Sequence, residues 1–256
     1  MGEMIVMEQQ KYRQRFGEIV AVEKRKYRHS LWKLCFFLIP LLPCIIGTVN
    51  YQQNIEILKD GWYDLWTQFT LFYAFFFFAP MIAIAASFLW RVEHRGRNWN
   101  LYMTMPVETG KLYLAKFAIL VRLIVELQLL VGVLFLLAGM LIGVPGKIPL
   151  TILWWLIRGT LGALVIAAIQ MLVSMVIHNF AVPVLVGFLG GIAGYLVASY
   201  GYGIYFPYSQ LMMGMNANKA EDVLTQGNVV FFSVVVIYFV VFCIMAVWWL
   251  KKRDVR

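Results

Sequence analysis

Few residues of this sequence combine the type and the spacing that chemistry requires. Arg122 and Glu126 are the clearest pair, because opposite charges four residues apart share one face of a helix. They would form an ion pair, which we favour, or bind a charged substrate or coupling ion. The dipeptide Gly146-Lys147 resembles part of a phosphate-binding G-x-x-x-x-G-K-S/T loop, but the upstream glycine and the following hydroxyl residue are missing.

Metal and nucleophile chemistry have equally little support. The sequence has no H-E-x-x-H motif, and its three histidines are scattered at His29, His94 and His178. The cysteines lie in apolar segments without metal-like spacing, at Cys35, Cys44 and Cys243. Glu126 is the one obvious acidic residue inside an apolar span, so no Ser-His-Asp set can be assembled. An intramembrane enzyme stays open only as an alternative without assignable catalytic residues.

The elements that position these residues must be membrane-spanning helices. Hydrophobic residues make up 62% of the chain and charged residues 14%, whereas a soluble domain has about 25% charged residues. About 20 apolar residues in a helix cross the hydrocarbon core, and long runs without alternation favour helices over a barrel. The sequence therefore predicts an all-α integral membrane protein.

Six spans are predicted from long apolar runs, of which the third contains Arg122 and Glu126, the fourth contains Arg158, and the others are uncharged. They cover approximately residues 34–55, 65–90, 117–139, 150–177, 182–200 and a stretch within 223–250. His178, Asn179 and Pro183 interrupt the chain between the fourth and fifth spans, which favours a helical hairpin there. We divide the chain into an amphipathic segment, residues 1–30, and a six-span domain, residues 31–256.

Basic residues determine the predicted orientation. Seventeen of the 22 lysines and arginines lie before the first span, after the second span or at the C-terminus. The opposite loops contain three, at Lys59, Lys147 and Lys219. The positive-inside rule therefore predicts that both termini are cytoplasmic. Because no separate basic domain carries the net charge of +9, we do not expect a nucleic-acid partner.

The N-terminal segment has the pattern of a helix that lies on the inner membrane surface. Its apolar residues share one helical face opposite the lysines and arginines: Tyr12, Phe16, Ile19, Val20 and Tyr27. The alternative is an ordinary charged leader without a surface helix.

A charged loop follows the second span, at about residues 91–116. It mixes charged residues with Trp99 and Tyr102, and Pro106 would stop a helix just before it. A short surface helix with charges and aromatic side chains suits the docking of a soluble partner. A simple connecting loop is the alternative.

Two overlapping G-x-x-x-G pairs occur in the fifth span. They are formed by Gly187 with Gly191 and by Gly190 with Gly194. Small residues at this spacing allow helix backbones to approach closely. The contact would lie within the chain or between subunits, and we favour the subunit interface.

Two features belong to the predicted outer side. Arg158 lies beside Trp154 and Trp155 near the outer end of the fourth span, which favours snorkelling to the interface.

Residues 202–216 are too apolar for a free loop and too short for a span. A re-entrant or interfacial helix beginning near Pro207 fits this stretch between spans five and six, and a loop with aromatics in the headgroups is the alternative.

Taken together, these features resemble a known family. The basic leader, the six spans, the charged loop and the apolar stretch between the last two spans are similar to those of type-2 ABC exporter permeases. Three segments resemble the lantibiotic- and bacitracin-immunity permeases of Gram-positive bacteria: N-Y-Q-Q-N at residues 50–54, G-W-Y-D-L-W at 61–66 and E-H-R-G-R-N-W-N at 93–100.

The resemblance implies partners and a cargo. The loop at about residues 91–116 would contain the coupling helix that docks on a cytoplasmic ABC ATPase, present in two copies and carrying ATP and Mg. The implied coupling residues are Glu93, Arg95, Arg97, Trp99, Asn100 and Tyr102. A second permease subunit, identical or homologous, would complete a path surrounded by membrane lipid in a bacterial plasma membrane. The cargo would be an amphipathic peptide, either a lantibiotic or bacitracin.

Other functions remain open at this point. The cargo would otherwise be another lipophilic drug or a lipid-linked precursor. A membrane scaffold or sensor without transport is a further alternative. A neighbouring gene for an ATPase with a phosphate loop and no spans would favour the exporter over both the scaffold and the enzyme.

Overall fold

The computed structural model describes residues 16–26, 32–94, 108–219, 221–224 and 227–253. Within these ranges five helices are long and apolar enough to cross a membrane: Trp62–His94, Thr109–Leu141, Leu150–Val176, Ala181–Ser199 and Asn228–Lys252. The predicted all-α membrane class is confirmed, and five of the six predicted spans have a matching helix. The sidedness of the two termini stays a prediction.

The first predicted span, residues 34–55, is built from two shorter helices. The leader helix α1 covers Phe16–Lys26, and it is followed by α2, Trp32–Leu38, and α3, Leu41–Gln53. Pro40 explains the break between α2 and α3, because proline has no backbone N–H to donate and its ring crowds the preceding turn. Neither helix reaches the ~20 residues that cross a bilayer, so a sixth span stays a prediction.

The second span changes its hydrogen-bond pattern in the middle. Helix α4, Trp62–Phe72, continues through a π-helical turn at Tyr73–Phe77 into helix α5, Phe78–His94. Pro80 accounts for the turn, because it cannot donate to the carbonyl of Phe76 four residues earlier. Tyr73 in this turn is fully buried, and its hydroxyl donates to Gln128 Oε1 at 2.9 Å.

The remaining helices pack around one central span. They are α6, Thr109–Leu141, α7, Leu150–Val176, α8, Ala181–Ser199, α9, Gln210–Gly214, and α10, Asn228–Arg253. Helix α7 is the central one, because it packs against α5, α6, α9 and α10. Aromatic side chains fill the space between α4 and α6, where the rings of Trp66 and Phe135 meet edge to face at 5.0 Å.

The apolar stretch between the last two spans folds into the bundle. Two 3-10 turns, Gly203–Tyr205 and Pro207–Ser209, lead into α9, so the helix predicted to begin near Pro207 is present as two short pieces. Gly159 and Gly162 of α7 lie directly against α9 and the residue that follows it. A Cβ on Gly162 would collide with the backbone of Gln210, so the segment can lie this close only because α7 has glycine there.

The four glycines of the fifth span all pack inside the chain. A Cβ on Gly187 would lie 2.8 Å from the Ala79 carbonyl oxygen, and one on Gly191 would lie 2.6 Å from that of Phe75. Gly190 and Gly194 on the adjacent face touch Tyr208. The expectation of a subunit interface at these glycines is therefore wrong. The G-x-x-x-G spacing indicated close packing but not the partner, which is α5 with its π turn and the Tyr208 segment.

A methyl group at Gly191 is expected to destabilise the fold. Gly191→Ala would press its Cβ against the rigid backbone at Phe75, and overpacking of this kind costs roughly 1–3 kcal/mol. Gly110→Ala is the matched control, because its Cβ would lie 3.7 Å from a Val247 methyl group in ordinary contact. Thermal unfolding of the detergent-solubilised variants measures the difference, and equal midpoints would show that the α8–α5 contact adapts freely.

Candidate functional site

The two ends of the predicted coupling loop meet the leader helix in a cluster of four charges. Lys116 in α6 places Nζ 3.0 Å from Glu93 Oε1 at the end of α5 and 2.5 Å from Glu23 Oε2 in α1. Its Nζ also donates to the Leu89 carbonyl at 2.8 Å. Lys26 of α1 completes the cluster, because its Nζ lies 2.5 Å from Glu23 Oε1 and 3.0 Å from Glu93 Oε1. We call these residues the base cluster.

The base cluster is almost entirely removed from solvent. The side chains of Lys116 and Glu93 are 0% exposed and that of Glu23 is 2% exposed, whereas Lys26 keeps 21% exposure. The ring of Trp90 adds a cation–π contact, with its centroid 5.2 Å from Lys116 Nζ. Two lysines and two glutamates neutralise each other, and removing one partner of such a buried set leaves an uncompensated charge. The base cluster therefore fixes α1 against both ends of the loop.

Glu93 is the one predicted coupling residue within the described part of the chain. Its carboxylate contacts Lys26 and Lys116 and has no exposed surface, so it can position the loop but does not face a soluble partner. Arg95, Arg97, Trp99, Asn100 and Tyr102 lie outside the described residues, and their docking role stays a prediction.

Sequence reasoning missed the other three members of the base cluster. Lys26 and Lys116 contribute to the count of basic residues that predicts the orientation, and no motif marks Glu23. The available signal was the i,i+3 pair Glu23–Lys26 beside the apolar face of α1, where Ile19 is 5% exposed. A buried acidic residue on that face requires a cation from another element.

Helix α1 confirms the predicted helix in the leader, from Phe16 onwards. Ile19 is buried, whereas Phe16 and Val22 are 44% and 53% exposed. Tyr12 and Tyr27 of the predicted apolar face lie outside the described residues. Exposed apolar residues beside the basic last turn are the composition of a helix at a membrane surface.

Arg158 has a different environment from the one the sequence indicated. Its side chain is 0% exposed, and its guanidinium holds Asp222 in two bonds, Nη2 to Oδ1 at 2.9 Å and Nη1 to Oδ2 at 3.1 Å. Its Nε donates to the Gly214 carbonyl at 2.9 Å, at the end of α9. Snorkelling to the interface is therefore wrong, because the counter-charge lies inside the protein. Arg158 instead fastens α7 to the segment around α9.

Asp222 is held ionised by the groups around it. Burial raises its pKa, but hydrogen bonds from Arg158, from Trp155 Nε1 at 2.9 Å and from the Leu224 N–H outweigh that effect. The pKa of the carboxyl group is consequently below its ordinary value of 3.8. This ion pair persists throughout the physiological pH range.

Arg122 and Glu126 form the predicted ion pair. Arg122 Nε lies 2.6 Å from Glu126 Oε1. Unlike the base cluster, this pair lies on the surface of the chain, with the two side chains 61% and 38% exposed. A charge at the centre of a transmembrane helix costs roughly 2.5–3.5 kcal/mol on insertion scales, so the exposed position requires an explanation beyond the single chain.

Two of the scattered histidines come together at the turn between α7 and α8. The rings of His94 and His178 lie 4.4 Å apart between centroids, and His94 Nε2 donates to the Ser174 carbonyl at 2.8 Å. They border a cavity of about 310 Å³ together with Arg91. Among the described residues, no group of three or more His, Cys, Asp or Glu side chains is arranged to hold a metal ion.

A second cavity, of about 470 Å³, lies between α8 and the segment that follows α9. Its wall is mainly apolar, with Tyr195, Met212 and Met213 as its large side chains, and Lys219 lies on its border. Methionine side chains adapt to ligands of varied shape. We call this space the methionine cavity.

Comparison with known proteins assigns the chain to a family. A family model described as "ABC-2 family transporter protein" matches residues 19–194, which is more than half of the chain and includes the base cluster. No curated protein and no solved structure matches. This family implies partnership with an ABC ATPase. With five helices long and apolar enough to span a membrane in the part of the chain that the structure describes, the chain belongs to the ABC-2 transporters, as a multi-pass, non-catalytic membrane permease subunit.

Proposed function

We propose that this permease is part of an ATP-driven exporter in a bacterial plasma membrane, and that it removes membrane-active peptide antibiotics of the lantibiotic or bacitracin type. Two ABC ATPase subunits, which carry ATP and Mg, would drive two permease subunits. The base cluster carries the ATP-driven part of this proposal, because it joins the leader helix to both ends of the loop that would receive the ATPase.

The base cluster would transmit movement of the loop to the helices α5, α6 and α1. A push on residues 95–107 would reach α5 through Glu93 and α6 through Lys116, and both residues bind α1, Glu93 through Lys26 and Lys116 through Glu23. Because a buried, hydrogen-bonded ion cluster resists separation, the three helices move together as one unit. ATP-driven closure of the ATPase pair would then switch the packing of the permease between two arrangements.

The cargo assignment rests on the three sequence segments that resemble immunity permeases and on an apolar path. Membrane-active peptides are amphipathic and collect at the membrane interface, so their exporter needs an opening toward the bilayer. Residues 159–218 contain no Asp, Glu, Lys or Arg, and the methionine cavity lies beside this stretch with an aromatic and adaptable lining. A sugar or ion transporter would require more polar groups at this depth.

Protection of a sensitive host tests the proposed cargo. Expression of the permease with its ATPase is expected to raise, several-fold, the concentration of lantibiotic or bacitracin that inhibits a sensitive Gram-positive strain. An ATPase variant without hydrolysis should abolish protection. Ser199→Trp, at the border of the methionine cavity, should lower protection while leaving ATP hydrolysis intact. An assembled, hydrolysing complex that protects against none of these peptides would contradict the cargo and favour export of another lipophilic compound.

A further inference from the structure

We propose that the cavity between the end of α5 and the turn that joins α7 to α8 binds a phosphate group, as carried by the headgroup of an anionic phospholipid. We call it the histidine cavity, and its polar lining consists of Ser87, Arg91, His94, Ser174, His178 and Asn179. Its volume of about 310 Å³ is near the lower end of the range for ligand pockets, which suits a headgroup but not a peptide. The site is separate from the methionine cavity, so it does not depend on the proposed cargo.

The polar groups of the histidine cavity are mainly hydrogen-bond donors. Asn179 Oδ1 accepts from the Ala181 N–H at 2.8 Å, so the polar group that remains on the Asn179 side chain is its NH2 donor. His94 Nε2 donates to the Ser174 carbonyl at 2.8 Å, which fixes the His94 ring 4.4 Å from that of His178. The lining includes no aspartate or glutamate from the described ranges. A cavity of this composition favours an anion.

Arg91 supplies the positive charge of the site. Its side chain is exposed, and its guanidinium carbon lies 5.5 Å from the centre of the Phe88 ring. The salt bridges formed within the described part of the chain all involve other residues, so Arg91 has no carboxylate partner there. A guanidinium binds phosphate through two parallel N–H donors. Arg91 is therefore available to hold a phosphate group at this cavity.

The histidine cavity lies where three candidate membrane spans end. Helix α5 ends at His94, α7 ends at Val176 and α8 begins at Ala181. The distribution of basic residues predicts that this end is cytoplasmic. Basic pockets between transmembrane helices on the cytoplasmic side bind anionic lipid headgroups. The cavity is thus at the level of the membrane at which lipid phosphates are found.

An apolar surface continues from the histidine cavity along α8. Phe180 borders the cavity and meets the ring of Phe88 edge to face at 5.3 Å. Val182, Leu185 and Leu189 follow on one face of α8, since they are three and four residues apart, and their side chains are 38%, 54% and 55% exposed. An acyl chain can lie along this face while its phosphate occupies the cavity. A soluble phosphate compound would leave the apolar face uncovered, which favours a lipid.

Fluorescence quenching by brominated lipids tests the site in the full-length chain. A bimane label on Val182→Cys, in a chain whose Cys35, Cys44 and Cys243 are replaced by alanine, reports the lipid beside the cavity. In nanodiscs of phosphatidylcholine, brominated phosphatidylglycerol is expected to quench this label several-fold more strongly than brominated phosphatidylcholine. Arg91→Gln should abolish the preference because it removes the charge, whereas Arg91→Lys should retain part of it.

Lys252→Gln is the matched control for the loss of one positive charge. Lys252 is also an exposed basic residue against an aromatic ring, with Nζ 4.1 Å from the centroid of Trp248, but it lies on α10 outside the cavity. Its substitution should leave the preference at Val182 unchanged. If Arg91→Gln and Lys252→Gln lower the preference equally, the label reports only the net charge of the protein, and the inference is overturned.

Inorganic phosphate distinguishes a soluble ligand from a lipid. It is added to the detergent-solubilised chain at constant ionic strength, and the midpoint of thermal unfolding is measured. If phosphate raises the midpoint of the parent but not that of Arg91→Gln, and phosphatidylglycerol shows no preference at Val182, the phosphate site stands and its ligand is soluble. If neither phosphatidylglycerol nor inorganic phosphate distinguishes the parent from Arg91→Gln, the cavity binds no phosphate and the inference fails.

Discussion

Substitution of Lys116 by methionine is expected to detach the leader helix and to uncouple ATP hydrolysis from transport. Methionine keeps the length of the side chain but removes one of the two cations of the base cluster, which leaves two glutamates and one lysine in a site almost without solvent. Removal of one partner of a buried ion pair costs about 3–5 kcal/mol. We expect a lower unfolding midpoint in detergent, faster proteolysis at α1, and ATP hydrolysis that no longer responds to cargo.

The chain contains a matched control for this experiment. Lys111 lies five residues earlier in α6 and pairs with Glu108 at 3.1 Å, but these side chains are 33% and 63% exposed, and a surface pair contributes only about 0–1 kcal/mol. Lys111→Met should therefore behave like the parent. Adding Glu93→Gln to Lys116→Met restores neutrality and should recover part of the stability. If Lys116→Met matches Lys111→Met in both stability and coupling, the base cluster has no role in transmission.

The second large effect is expected at Asp222. Asp222→Asn keeps the shape of the side chain but leaves the fully buried Arg158 without its counter-charge. Breaking a fully buried pair lowers the stability of the fold by about 3–5 kcal/mol. The loss of stability is smaller here because Asp222 is 21% exposed. The segment from α9 to α10 should loosen, which would appear as a lower unfolding midpoint and faster amide exchange around Gly214. Glu221→Gln, at the exposed neighbouring position, is the control and should change neither.

Acid supplies an independent check on the same ion pair. The pKa of Asp222 in the folded protein is below its ordinary value of 3.8, so its ionised form contributes stability fully above that value. The contribution is lost as the pH falls through the folded-state pKa. The difference in stability between the parent and Asp222→Asn should therefore stay constant from pH 5 to 8 and shrink in stronger acid. A difference that grows on acidification would contradict the role assigned to Asp222.

Composition and charge spacing were sufficient to predict most of the helices. Long apolar runs with few or no charges predicted the five long spans, because hydrocarbon tolerates few other sequences. The first span escaped this rule: Pro40 lies in an apolar run that is long enough, yet the proline divides it into two helices. The hydrophobicity of a run indicates burial or lipid contact, but it does not show that one residue, here Pro40, lacks the backbone N–H that a continuous helix needs.

The site depended on contacts that local spacing cannot reveal. Arg122 and Glu126 are four residues apart, so their pairing follows from helix geometry. Arg158 and Asp222 are separated by 64 residues and Lys116 and Glu23 by 93. For Arg158 the sequence indicated a charge near the end of an apolar span but not its partner, and for Glu23 and Lys116 it indicated neither the burial nor the partner. The same holds for Gly191, whose size predicted a close contact without specifying which helix supplies it.

The separation between Glu23 and Lys116 also has a consequence for biosynthesis. Helix α1 is synthesised before Glu93 and Lys116, which hold it in place and are made 70 and 93 residues later than Glu23. At the usual 5–20 residues per second of synthesis, the leader waits for roughly five to twenty seconds before Glu93 and Lys116 are both available. Its exposed apolar side chains would hold it at the membrane surface during that time, if it lies there as the sequence predicts. Helix α1 is thus made before α5 and α6 but docks only after Glu93 and Lys116 are available, so its docking marks the moment at which these three helices are joined.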